Sequence, residues 1–125
     1  MNSNNRTQAF LELQEKYLLN FPEKLEKIEE CLNNQDLNGL GNHFHKLKGS
    51  GQTYGFKPIT DIALPVHLHY KLASPDFLKW AHVGFALLQK IQPLLHHKNT
   101  TSLDNFPEFQ QLIDSIKSPI EKGKP

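Results

Sequence analysis

Apolar residues recur at every third or fourth position along most of the chain, and nowhere does a long stretch alternate with a period of two. On a helix that spacing gathers apolar side chains along one side, whereas on a strand it would scatter them over both faces. β-Branched residues are also sparse. The pattern therefore predicts an all-α protein whose helices bury one stripe each.

The punctuation divides that pattern into segments. A first helix is predicted from about Arg6 to Leu19, with Phe10, Leu13, Tyr17 and Leu18 facing inward. "NFPEKLEKIEECLNN" then reads as the start of a second helix. Pro22 suits a first-turn position, Glu23 complements the dipole, and Leu25, Ile28, Cys31 and Leu32 form the stripe. Asp36 reads as the N-cap of a third helix that continues to about Tyr54, where Gly55 stops it. "FKPITDIALPVHLHYKLA" is a fourth helix, apolar along Ile59, Ile62, Ala63, Val66 and Tyr70, and Pro65 is expected to kink it or delay its start. In "SPDFLKW", Ser74 is the expected cap, Pro75 the first helical position and Asp76 part of the first turn. This fifth helix should reach about His97, bent at Pro93, with Phe77, Trp80, Ala81, Gly84, Leu87, Leu88, Ile91 and Leu95 inward. "HKNTTS" is a polar break, followed by a short helix from about Pro107 to Lys117 and a frayed "SPIEKGKP" tail. Short connections favour antiparallel neighbours in a bundle.

Composition narrows the function classes. A chain of 125 residues is most simply one domain, large enough for its own core. With 14 Lys and Arg against 13 Asp and Glu and no basic block, it lacks the footprint of a nucleic-acid surface. "MNSNNRTQAF" has no apolar core of a signal peptide, and no apolar run approaches a membrane span, so no membrane role is expected. The single cysteine, Cys31, excludes an internal disulfide, fits a reducing compartment and reads as a buried helix residue. The expected setting is the cytoplasm, and Met1 suggests a free-standing protein.

The third helix has two distinct faces. At about 100° per residue, Leu37, Leu40, Phe44, Leu47, Gly51 and Tyr54 share one sector, the predicted core face. Asn38, Gly41, His45, Lys48, Gly49 and Gln52 gather on the opposite side. Each interior glycine costs a helix about 1 kcal/mol relative to alanine, so glycines on an exposed face imply that something must approach the backbone. Gly41 and Gly49 stand about one turn before and after His45 and would clear space around its ring. An exposed imidazole with an ordinary pKa of about 6.5 keeps a substantial neutral, nucleophilic fraction at cellular pH. Lys48, three residues on from His45, can neutralise oxyanions on whatever that ring acquires. Geometry by itself leaves open a solvated face with an incidental histidine.

The run His45, Lys46, Leu47, Lys48, Gly49, Ser50, with Gly55 beyond it, closely resembles the signature of histidine phosphotransfer (HPt) domains. The Phe-Pro-Glu start before the second helix, "NNQDLNGL" ahead of the motif and the order of helices extend the resemblance over roughly residues 8–97. It implies a four-helix bundle preceded by a short N-terminal cap helix, with residues 98–125 a C-terminal extension. It implies that Nε2 of His45 accepts a phosphoryl group from a receiver-domain aspartyl phosphate and relays it to another receiver. Lys48 would be the phosphate-stabilising cation and Gly49 the clearance residue, with Gly41, Gln52 and His67 in supporting or partner-binding places. Partners would be receiver domains of response regulators or of a hybrid sensor histidine kinase, met by a monomer. No cofactor is expected on this chain; Mg²⁺ would belong to the partner receiver, and the absence of a nucleotide-binding glycine loop argues against a kinase.

Two departures stand out. Many HPt domains place a glutamine or glutamate about 22 residues beyond the phosphohistidine to hydrogen-bond its Nδ1, where gap-free counting here finds His67. Either His67 orients His45, or a kink at Pro65 presents another residue. The residue before the acceptor is often alanine but is Phe44 here, read as a core substitution. Two rival functions remain: a receiver-binding scaffold without phosphotransfer, and a metal-binding bundle. The pairs His43/His45 and His67/His69 are two residues apart, about 200° around a helix, and cannot chelate one ion from a regular helix. His96 and His97 are the third pair.

Overall fold

Tyr17, Phe21, Leu25, Ile28 and Leu32 keep one helical phase straight through Pro22, and all five are buried. The computed structural model, which describes residues 2–96 and 102–122 (side chains for 7–96 and 102–117), accordingly shows one helix where two were expected. This helix, α1, spans Asn2–Asn33 with Pro22 inside it. Pro22 is exposed, so water can serve the carbonyl four residues back that loses its N–H partner. The expected cap helix and the next helix are thus continuous. Phe10 and Leu13, predicted to face inward, are 40% and 48% exposed. The early turns of α1 reach over the later turn at Tyr54 and Gly55, where the Gln14 amide donates to the Tyr54 carbonyl at 2.8 Å.

Helix α2 (Leu37–Thr53) follows the expected boundaries. Its N-cap is Asp36, whose Oδ1 accepts from the Gly39 N–H at 2.9 Å. Leu40, Phe44, Leu47 and Gly51 are buried as predicted, but Leu37, in the first turn, is 46% exposed. Helix α3 (Lys57–Lys71) runs through Pro65 without a break and starts at Lys57, so Pro65 does not delay it. Helix α4 (Phe77–Ile91) begins just after the predicted start signal. Ser74 Oγ accepts from the Asp76 N–H at 3.3 Å, which makes Ser74 to Asp76 the turn leading into α4 rather than its first residues. The α-helix ends before Pro93, giving way to a 3₁₀ turn over Gln92–Leu94. Gln92 before it keeps helical dihedrals (φ −49°, ψ −52°), but Pro93 has no N–H to bond the carbonyl four residues back, so the expected continuation is cut short. The predicted end at His97 lies outside the described residues.

A second 3₁₀ turn (Leu103–Asn105) leads into α5 (Pro107–Lys122), longer than the helix predicted to Lys117. Leu112 of α5 is fully buried in the common core. An ion pair between Lys90 and Glu108 (2.8 Å) and a contact between His69 Nε2 and Ser115 Oγ (2.8 Å) tie α5 to α4 and α3. The result is an all-α bundle of α1 to α4 with α5 packed on α3 and α4.

The α2–α3 pair is the closest in the bundle, and small groups explain it. A Cβ at Gly51 would stand 2.9 Å from the Thr60 backbone nitrogen. Thr60 Oγ1 donates across the same contact to the Lys48 carbonyl at 2.9 Å. Nearly three turns earlier in α2, a Cβ at Gly41 would meet the Tyr70 ring at 2.5 Å. These contacts fix which side chains of α3 stand beside the exposed face of α2.

Candidate functional site

His45 occupies the middle of α2 and is exposed. Among the described residues it makes a ring contact with His67 and no hydrogen bond. One turn further on, a Cβ placed on Gly49 would meet no atom within 4 Å. His45 therefore stands over open space on that side, as the stripe of polar residues suggested. Gln52 lies exposed beyond it.

Gly41 differs from the expectation. It is buried, and its missing side chain makes room for the Tyr70 ring rather than for a visitor at His45. Helical phase alone put Gly41 with the polar residues, because the phase of one helix does not show where the next helix crosses it. Tyr70, read from the sequence as a plain apolar residue, turns out to close this end of the site. Its hydroxyl donates to Asn38 Oδ1 at 2.8 Å, and its ring lies 5.3 Å from Phe77 and 6.4 Å from His67.

The α2–α3 packing brings His67 to His45. Their ring centroids are 4.8 Å apart and the planes are inclined at 44°. Lys48 completes a triangle, with Nζ 3.4 Å from Nδ1 of His67. A lysine ammonium can donate and cannot accept. In that contact His67 Nδ1 is the acceptor, and the ring proton sits on Nε2. Burial holds the His67 pKa below the usual histidine value, and its neighbours Lys48, His45 and Lys71 oppose its protonation further. The counted position is thus occupied by His67, with no other residue presented by Pro65. Its acceptor nitrogen, however, faces Lys48.

The surroundings are poor in carboxylates. Between Leu37 and Thr53 the sequence holds His43, His45, Lys46 and Lys48 and no Asp or Glu. On α3, Asp61 is paired with Lys57 at 2.7 Å. His43, on the flank of α2, is half-buried and its pKa is lowered by burial first and then by nearby lysines. An exposed neutral imidazole, one lysine in reach and an unobstructed approach are what transfer of a phosphoryl group to a side chain requires, since that chemistry consists mainly of positioning and charge stabilisation.

The sequence model of the Hpt domain matches residues 12–118, most of the chain. The chain belongs to the Hpt domain family. Such domains carry out histidine phosphotransfer in phosphorelays, work with receiver domains, and are phosphocarriers rather than kinases. The match runs beyond residue 97, where the motif-based resemblance stopped, and takes in most of α5. No curated protein and no solved structure matches this Hpt domain chain. Among its described residues no helix is long and apolar enough to cross a membrane.

Proposed function

We propose that His45 is the phosphoacceptor of this Hpt domain, taking a phosphoryl group from the aspartyl phosphate of one receiver domain and giving it to another. The observation that carries this reading is an exposed His45 without a hydrogen-bond partner among the described residues, open at Gly49 and flanked by Lys48. In the forward step Nε2 of neutral His45 attacks phosphorus in line with the aspartyl oxygen. The P–O bond breaks and the carboxylate leaves with its electron pair. Lys48 offsets charge on the transferred group, which carries roughly two negative charges. Mg²⁺ and the aspartate belong to the receiver, and the chain itself supplies no nucleotide chemistry. The carboxylate-poor, lysine-bearing surface of α2 around His45 complements the acidic aspartate site of a receiver. Response regulators and a hybrid sensor kinase are the partners this implies, met by a monomer in the cytoplasm. Gln52, exposed beyond Lys48, lies within the face the receiver would cover.

Incubation with a phosphorylated receiver and Mg²⁺ should put acid-labile label on the wild type and none on His45→Gln. Label that survives the substitution would overturn the assignment. Receiver binding without any label on the wild type would instead make the protein a scaffold.

A further inference from the structure

The triangle of His45, His67 and Lys48 has a consequence for the charged state of the site. Before phosphorylation His67 is surrounded by groups that oppose its protonation. Lys48 from α2 holds its Nδ1 at 3.4 Å, the His45 ring of the same helix lies 4.8 Å away, and Lys71 is one turn on in α3. Its other neighbour, Tyr70, stacks beside it as a neutral ring.

Phosphorylation of His45 inverts this. Neutral His45, with its proton on Nδ1, forms the new P–N bond through Nε2 as the receiver's P–O bond breaks. The product is a cationic ring bearing a phosphoryl dianion, so the His45 side chain goes from neutral to net negative beside His67. Lys48 is drawn to the new oxyanions, which weakens the contact that kept His67 Nδ1 occupied by a cation. An opposite charge within about 4–6 Å shifts a titrating group by about one to three pH units towards its charged form. The cationic imidazole ring of phosphohistidine offsets part of that effect.

We propose that His67 is a positioning residue that binds a proton from solvent when His45 is phosphorylated and becomes, with Lys48, a second cation holding the phosphoryl group. This rests on the reading of His45 as the phosphoacceptor. In the bare protein His67 is neutral and tied to Lys48. In the phosphorylated protein it is imidazolium, with N–H donors on both ring nitrogens. Proton uptake then accompanies loading of the relay and proton release accompanies discharge. Relative to a protein with an uncharged side chain at position 67, the phosphorylated form is held longest on the acid side of the His67 transition. In place of a neutral hydrogen-bonding side chain at this position, the protein has a group whose charge follows that of its neighbour.

Ring chemical shifts of His67 in the full chain, followed by NMR from pH 5 to 9, test this before and after treatment with phosphoramidate, a small-molecule phosphoryl donor. The same treatment of His45→Gln subtracts phosphorylation elsewhere. The expected result is a midpoint below that of a free histidine in the bare protein and an upward shift of about one unit or more on phosphorylation of His45. In parallel, the lifetime of the phosphorylated wild type relative to phosphorylated His67→Gln should fall several-fold between pH 6 and 8. A His67 midpoint that stays put or moves down on phosphorylation overturns the proposal, with or without a folded variant. Phosphoramidate needs no receiver. A midpoint that rises in a protein that takes nothing from charged receivers therefore supports His67's role and contradicts the relay reading. An unmoved midpoint in a protein that relays normally does the reverse.

Discussion

Gly49 and Gly41 lie eight residues apart in one helix and answer to different constraints. Gly49 faces empty space, so Gly49→Ala should raise stability by about 0.5–1 kcal/mol through helix propensity, read as a higher melting temperature. Larger side chains there, such as Gly49→Leu, should keep the fold and slow transfer from a receiver at least tenfold, which a quench-flow labelling assay would show. Gly41→Ala should instead destabilise by about 1–3 kcal/mol, because its Cβ would meet the Tyr70 ring at 2.5 Å. A Gly41→Ala protein as stable as the wild type would contradict the packing described. The residues of the site differ in how legible they were. His45, Lys48 and Gly49 could be read from helical phase and motif, since each belongs to one exposed stripe of one helix. Gly41 was misplaced and Tyr70 missed as a site neighbour, because both depend on how α3 crosses α2.

At the scale of elements, α1, α2 and α3 end in the same way. In each, the residue after the C-cap has a positive φ and two backbone N–H groups fold back onto the last turn. Gly55 (φ 77°) fills that place after α2, but Gln35 (φ 51°) and Ala73 (φ 50°) fill it after α1 and α3. Left-handed geometry costs a residue with a Cβ about 1–2 kcal/mol. Ala73→Gly should therefore gain on the order of 0.5–1 kcal/mol after the added chain entropy is subtracted. Denaturant midpoints would show it, and a loss would mean that the turn is not strained. Gly55 was visible in the sequence as a stop signal, whereas nothing in Gln35 or Ala73 announces a turn. Pro22 misled in the other direction. It carries the signature of a helix start, yet the buried run from Tyr17 to Leu32 holds α1 continuous across it.

For the whole molecule, the segment after the motif region is part of the bundle. His69 of α3 is 3% exposed, lies against Trp80 of α4 with ring centroids 5.7 Å apart, and contacts Ser115 of α5. Ser115 Oγ donates to the Leu112 carbonyl, so it accepts from the His69 Nε2–H. Burial pushes the His69 pKa below the histidine norm, against an opposing pull from Asp76. The unfolded chain then binds the proton more readily than the folded one. Stability is at its fullest above the unfolded value of about 6.5 and declines as pH falls below it, towards the lower folded value. Thermal melts between pH 8 and 5 should show that decline, and His69→Phe should flatten it. The all-α class followed from spacing alone, but the place of α5 did not. Its amphipathic pattern could not say which groove of the bundle it would fill.

The central claim is that His45 relays a phosphoryl group between receivers. It is tested most directly by charging one receiver with labelled phosphate, adding this protein, and then adding a second, uncharged receiver with Mg²⁺. Label should pass through His45 to the second receiver, and His45→Gln should stop it at the first. Equal delivery to the second receiver with His45→Gln in place of the wild type would contradict the account.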